Sequence, residues 1–181
     1  MASVIARPDS SLRFRFATVD DVAAIVSVVE RAYRADDAGW TTEAHLIGGR
    51  RTGADEVEQL VGSATGGLLT LSDQGDIVAT CHLDRRADHA YFGMFAVDPA
   101  RQARGFGAAL LAEAERVARE EWGSPRMRMT VISARTDLIA WYARRGYRPT
   151  GGTSPFPYGD ARFGEPRVAG LRFDELEKPL V

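Results

Sequence analysis

The residues with the clearest chemical potential stand in one short run, Gln102-Ala103-Arg104-Gly105-Phe106-Gly107. It follows the apolar run Tyr91–Val97 and the pair Asp98-Pro99, and it opens a long amphipathic segment. A glycine-containing turn between a buried strand and a helix start gathers unpaired backbone N–H groups at one point, with the helix dipole behind them. The chemistry on offer is anion binding, most simply of a phosphate. Flanking residues exclude two common phosphate motifs. A P-loop needs Lys-Ser or Lys-Thr after its last glycine, whereas Ala108-Ala109 follow Gly107. A dinucleotide fingerprint needs a third glycine where Leu110 stands, and an acidic residue at the end of the next strand, where Ile132-Ser133 stand. Cys81 invites a covalent reading. On a strand, however, Cys81 and His82 point to opposite faces and make no simple dyad. Cys81 therefore reads as buried and structural.

These residues need elements to position them. Leu12–Phe16 alternates apolar and charged residues as a half-buried strand does. Thr18-Val19-Asp20-Asp21 matches a capping box ahead of Val22, Ile25, Val26, Val29 and Tyr33, which share one helix face. Thr52–Asp55 opens a short helix carrying Val57, Leu60 and Val61. Gly66–Leu71 and Ile77–Leu83 form an antiparallel hairpin. Tyr91–Val97 is apolar throughout, as in a central strand covered on both faces, and Gly93 inside it points to a bulge or a close approach. A helix is expected over Ala103–Glu121, a strand over Arg126–Ile132, a helix over Thr136–Arg145 with Gly146 as its C-cap, and a strand from Tyr147. Gly151–Gly164 reads as a loop rich in glycine, proline and aromatics, and Leu171–Glu177 as the last strand.

A third phosphate pattern fits the opening run: Gln/Arg-x-x-Gly-x-Gly/Ala directly after an apolar strand ending Val-Asp-Pro. With Ala140-Trp141-Tyr142-Ala143-Arg144-Arg145-Gly146-Tyr147 downstream, the chain resembles the GNAT superfamily of acyl-CoA-dependent N-acyltransferases, from Leu12 to Leu176. The resemblance implies an α+β fold, with a mixed, mostly antiparallel twisted sheet of six to seven strands flanked by four helices. It implies acetyl-CoA as cosubstrate and no metal. The pyrophosphate would meet the turn Gln102, Ala103, Arg104, Gly105, Phe106, Gly107 and Ala108, where Gly105 and Gly107 lack a Cβ that would block its approach. The pantetheine arm would run along Phe95, Ala96 and Val97, with a backbone N–H polarising the thioester carbonyl. Tyr142 matches the family's general-acid tyrosine, although by residue type alone it also suits a helix-face aromatic of the core.

Two departures stand out. Many relatives carry a glutamate on the strand that here reads Tyr91-Phe92-Gly93-Met94, so a base would come from His82, His89, Glu43 or a water chain, unless the acceptor binds neutral. Arg135 stands where some relatives have asparagine. The family layout places the acceptor between the Ala35–Arg51 segment and the Gly151–Gly164 loop. There Trp40, Glu43, Phe156, Tyr158 and Asp160 would suit a cationic amine on an apolar body. The implied activity is direct transfer of an acetyl group to a primary amine of a small molecule, peptide or protein. An acyl-CoA sensor of the same fold is the alternative, and a nucleotide-binding protein a third.

At 181 residues the chain suits one domain over residues 12–181 after a flexible segment 1–11, with a homodimer compatible with the sequence. A net charge of −2 gives no electrostatic case for nucleic acid or an anionic membrane as partner. The lone cysteine, the lack of a secretory signal and an apolar run Val22–Val29 too short to span a bilayer together predict a cytoplasmic protein.

Overall fold

The structure, a computed structural model, describes residues 12–34, 42–160 and 163–180. Trp40 and the segment 1–11 lie outside them. The elements run β1 (Leu12–Phe16), α1 (Val22–Arg34), β2 (Ile47–Gly48), α2 (Ala54–Val61), β3 (Gly66–Asp73), β4 (Asp76–Arg85), β5 (Ala90–Val97), α3 (Phe106–Arg116), β6 (Arg126–Ile132), α4 (Thr136–Ala143), β7 (Arg148–Pro155), β8 (Glu165–Pro166) and β9 (Arg172–Pro179). Seven strands form one sheet in the order β1-β3-β4-β5-β6-β9-β7, and β2 pairs with β8 in a separate ribbon. The α+β architecture of four helices on a mixed sheet is the one the sequence implies. Every neighbouring pair in the large sheet is antiparallel except β5–β6.

Helices cover both faces. Ile25, Val28, Val29 and Ala32 of α1, with Val57 of α2, bury against Leu68, Met94 and Ala96. Phe106, Leu110, Leu111 and Ala114 of α3 bury on the other face against Leu69, Leu71, Cys81 and Phe92. Cys81 is fully buried, and burial pushes its thiol far up, away from a nucleophilic thiolate. The capping box at Thr18 forms: the Asp21 carboxylate accepts the Thr18 backbone N–H at 2.7 Å and bonds Arg15 at 2.6 and 2.8 Å.

Several element bounds differ from the sequence reading, each for a local reason. The helix expected from Ala103 begins at Phe106, because Ala103 and Gly105 take φ of +63° and +82°, which a right-handed helix does not admit. It also loosens after Arg116 into a π-helical turn, Val117–Glu121, where the Trp122 N–H reaches back to the Val117 carbonyl. The short helix expected to open at Thr52 starts at Ala54 with Gly53 as its N-cap, and the Thr52 hydroxyl bonds Glu56 at 2.7 Å. The hairpin β3–β4 turns tightly at Gln74-Gly75, both left-handed, so its strands extend further than the apolar pattern. The first part of the expected loop 151–164 is strand β7, an exposed edge with no apolar alternation to announce it.

Candidate active site

Strand β5 sets the geometry. Its pairing with β4 shifts between Thr80↔Ala96 and His82↔Gly93, so Met94 and Phe95 together face Cys81. This is a bulge, and Met94 pays for it with a left-handed φ of +43°. The bulge reverses the alternation. Phe92, Phe95 and Val97 now face α3 and α4, while Met94 and Ala96 face α1. Gly93 beside it is covered by the Tyr91 ring, whose atoms would lie 2.7 Å from an added Cβ. On its other edge β5 pairs with β6 only at Ala90↔Met127 and Tyr91↔Arg128. Beyond that point the two parallel strands part, and the fork holds the site.

A turn closes the fork at the end of β5. Asp98 caps a short 3-10 turn, Pro99–Arg101, by accepting the Ala100 N–H at 3.0 Å, and it is tied to α1 by Arg31 at 2.7 Å. Left-handed Ala103 and Gly105 then swing the chain into α3. The first N–H groups of α3, at Phe106, Gly107 and Ala108, have no carbonyl one turn back and point outward with the dipole. An added Cβ at Gly107 would sit 3.1 Å from Phe95 Cζ and 3.3 Å from Val97 Cγ2, so this glycine lets α3 pack directly against β5. Arg101 reaches the buried Asp73 at 3.2 Å, and Arg104 reaches the same carboxylate at 3.8 Å.

Two cavities meet in the fork. The first, about 340 Å³, is bordered by Phe95, Val97, Gln102, Ala103, Gly105, Phe106, Gly107 and Ala108, all singled out from the sequence. Arg101, Arg135, Trp141 and Arg145 border it as well. Two residues expected here are elsewhere: the bulge turns Ala96 into the α1 core, and Arg104 lies exposed over the Phe106 ring. The second cavity, about 410 Å³, lies between Gly93, Met94, Met129–Ile132 and the aromatic wall of Phe156, Phe163 and Phe173. Tyr142, Tyr33, Phe95 and Leu138 border both. Tyr142 is 3% exposed, packed edge-on to Trp141 at 5.1 Å and to Tyr147 at 5.7 Å. Burial raises its phenol well above the ordinary value, so it stays protonated at neutral pH. Tyr33 was visible in the sequence only as the end of a helix stripe. Its hydroxyl donates to the Phe95 carbonyl at 2.9 Å, which anchors the bulge.

The sequence model of the Acetyltransferase (GNAT) family matches residues 29–147, from α1 through the turn to the start of β7. The chain belongs to this family. Solved structures agree in fold with this GNAT domain. The ribosomal-protein-S18-alanine N-acetyltransferase from Escherichia coli superposes with a TM-score of 0.71 at 18% identity, over 93% of this chain and 94% of that one. PaiA N-acetyltransferase from Thermoplasma acidophilum, solved in complex with coenzyme A, gives 0.69 at 15% identity, over 93% and 99%. YncA from Salmonella typhimurium, solved with its cofactor acetyl-CoA, gives 0.65 at 22% identity, over 95% and 95%. Among curated proteins none matches the sequence. No helix among the described residues is long and apolar enough to cross a membrane.

The second cavity of this GNAT domain departs from the expected cationic-amine lining. Glu43 does border it, but its carboxylate lies 3.5 Å from both Arg34 and Arg135. It is a clamped anion, not an open one. Phe156 forms the wall, stacked on Phe173 at 5.8 Å. Tyr158 stands behind it and outside both cavities: its hydroxyl donates to the Val168 carbonyl at 3.0 Å and accepts the Leu171 N–H at 2.8 Å, so it braces the loop. Asp160 borders neither cavity. Of the histidines considered as bases, His82 packs edge-on to Tyr91 at 5.8 Å, and burial lowers its proton affinity. His89 bonds Asp88 at 2.7 Å and lines a separate depression beside Trp122. Neither borders the two cavities.

Proposed function

We propose that this GNAT acetyltransferase moves an acetyl group from acetyl-CoA to a primary amine by direct attack in a ternary complex. The observation that carries the reading is the meeting of two cavities at Tyr142, in the fork where β5 leaves β6. The first cavity suits coenzyme A on its own chemistry. It offers helix-start N–H groups, two left-handed turn residues, the cations Arg101, Arg135 and Arg145, and the apolar side chains of Phe95, Val97, Leu138 and Trp141. Phe106, Gly107 and Ala108 would hold the pyrophosphate, and the strand edge at Phe95 and Val97 the pantetheine arm. Acetyl-CoA supplies an acyl group activated as a thioester.

The chain's own contribution is positioning and proton transfer. A backbone N–H of β5 polarises the carbonyl, and the Tyr33 bond to the Phe95 carbonyl keeps that strand segment in one orientation. As the new N–C bond forms and the C–S bond breaks, Tyr142 gives its proton to the departing sulfur. Water in the open second cavity takes the proton lost by the amine and restores one to Tyr142. The acceptor enters from the side of Phe156, and a small-molecule or peptide amine meets that description.

The experiment is a thiol-release assay with acetyl-CoA and a broad amine panel, with products identified by mass. Acetylated amine is expected. Acetyl-CoA binding with no turnover on any amine would instead favour a sensor of the same fold, and stabilisation by ATP or NAD but not by coenzyme A a nucleotide-binding protein.

A further inference from the structure

The charged residues bordering the second cavity, among those described, are Arg34, Arg51 and Glu43. The Glu43 carboxylate is shared between Arg34 and Arg135, so its charge is offset inside the protein. The nearby Glu30 carboxylate accepts the backbone N–H groups of Arg51 and Thr52 at 2.6 and 2.7 Å. Two arginines against one glutamate leave the border of the cavity positive. Arg34 has a side chain only 9% exposed; its Nε donates to the Gly49 carbonyl at 3.0 Å, its Nη1 lies 3.5 Å from Glu43, and its buried Nη2 has no hydrogen-bond partner among the described residues. Burial lowers the proton affinity of its guanidinium, and a buried cation with an unmatched N–H costs free energy that a nearby anion offsets.

Arg51 places a second cation close to the reaction point. Its guanidinium carbon lies 5.2 Å from the Tyr33 ring centroid, and the Tyr33 hydroxyl is the group bonded to Phe95 where the cavities meet. The rest of the lining is largely apolar: Met94, Met129, Ile132, Phe156, Phe163 and Phe173.

We infer that the acceptor is a small amino acid-like molecule, with a primary amine and a carboxylate a few bonds apart on an apolar body. This rests on the acetyltransferase reading above. Arg51 binds the carboxylate within the field of Arg34, the aromatic wall takes the apolar body, and the amine faces Phe95 and Tyr142.

The test uses the full chain with acetyl-CoA and matched acceptors: leucine, leucinamide, 3-methylbutylamine and spermidine. Leucine is expected to exceed its amide and its decarboxylated amine at least about tenfold in kcat/KM, with spermidine lowest. Arg51→Met is expected to cut the acid-to-amine ratio about tenfold, and Arg51→Lys to keep part of it. Arg119→Met, on the exposed π-helical turn, should leave the ratio unchanged. Calorimetric titration of leucine into the coenzyme A complex should show about tenfold weaker binding for Arg51→Met. Preference for 3-methylbutylamine or spermidine would overturn the inference, as would equal losses on acid and amine in Arg51→Met. Acetyl-CoA binding without turnover on any acceptor would also overturn it. Absence of acetyl-CoA binding by calorimetry would remove the acetyltransferase reading itself, so the two failures are distinguishable.

Discussion

Tyr142 joins the two cavities with a phenol that burial keeps protonated, which is the state an acid needs. Tyr142→Phe keeps the ring packing and removes the proton, so kcat is expected to fall by about 10²-fold with little change in acetyl-CoA affinity. Steady-state kinetics beside calorimetry would separate the two, and wild-type turnover would return Tyr142 to the core. Gly107 tests the other cavity. Glu at this position sets a side chain against Phe95 and a negative charge at the helix start, so coenzyme A binding is expected to vanish while circular dichroism stays native. An unchanged Kd would move the pyrophosphate away from this turn. Asp21 reports on folding instead. Its bonds to Arg15 hold its carboxyl down at about 2. A lowered folded-state pKa gives stability that is present above about pH 4 and is lost as pH falls toward about 2. Arg15→Ala should shrink that acid-dependent part of a chemical denaturation series, and an unaltered acid limb would show the pair contributes nothing.

At the scale of elements, the site depends on a bond between α1 and β5. Tyr33 holds the Phe95 carbonyl beside a bulge that contains a left-handed methionine. Tyr33→Phe leaves that carbonyl without its donor, which is expected to cost about 1–3 kcal/mol and to lower kcat through loss of orientation rather than loss of a reacting group. Thermal unfolding and kinetics check both, and a native Tm would mean the bulge holds itself. Element boundaries were legible where the chain's chemistry is local. The capping box at Thr18, the apolar stripe of α1 and the turn at Gly105 could all be read from neighbouring residues. The bulge could not, because it exists only in the register of β5 against β4. Gly93 gave the one hint. The exposed strand β7 had no period to read, since neither of its faces is buried.

For the whole molecule, the fork predicts that cofactor binding and folding are coupled. A ligand that binds only the folded chain should stabilise it by about 2.7 kcal/mol at a hundredfold excess over Kd, or roughly 5–10 °C in Tm for a domain of this size. Differential scanning fluorimetry with coenzyme A tests this, and no shift at saturating concentration would contradict the first cavity as its site. The sequence by itself carried the resemblance to the family, the fold class that resemblance implies, and the turn Gln102–Gly107 and Tyr142 as candidates for the site. The turn rests on short spacings in which backbone geometry follows from neighbouring residue types, and the other readings rest on the resemblance those motifs carry. Tertiary structure decided the electrostatics. Glu43 looked like an anion awaiting a cationic substrate until Arg34, nine positions earlier, and Arg135, far along the chain, were found on either side of it. Charge in a cavity is a sum over groups distant in sequence, and only the fold says which groups enter the sum.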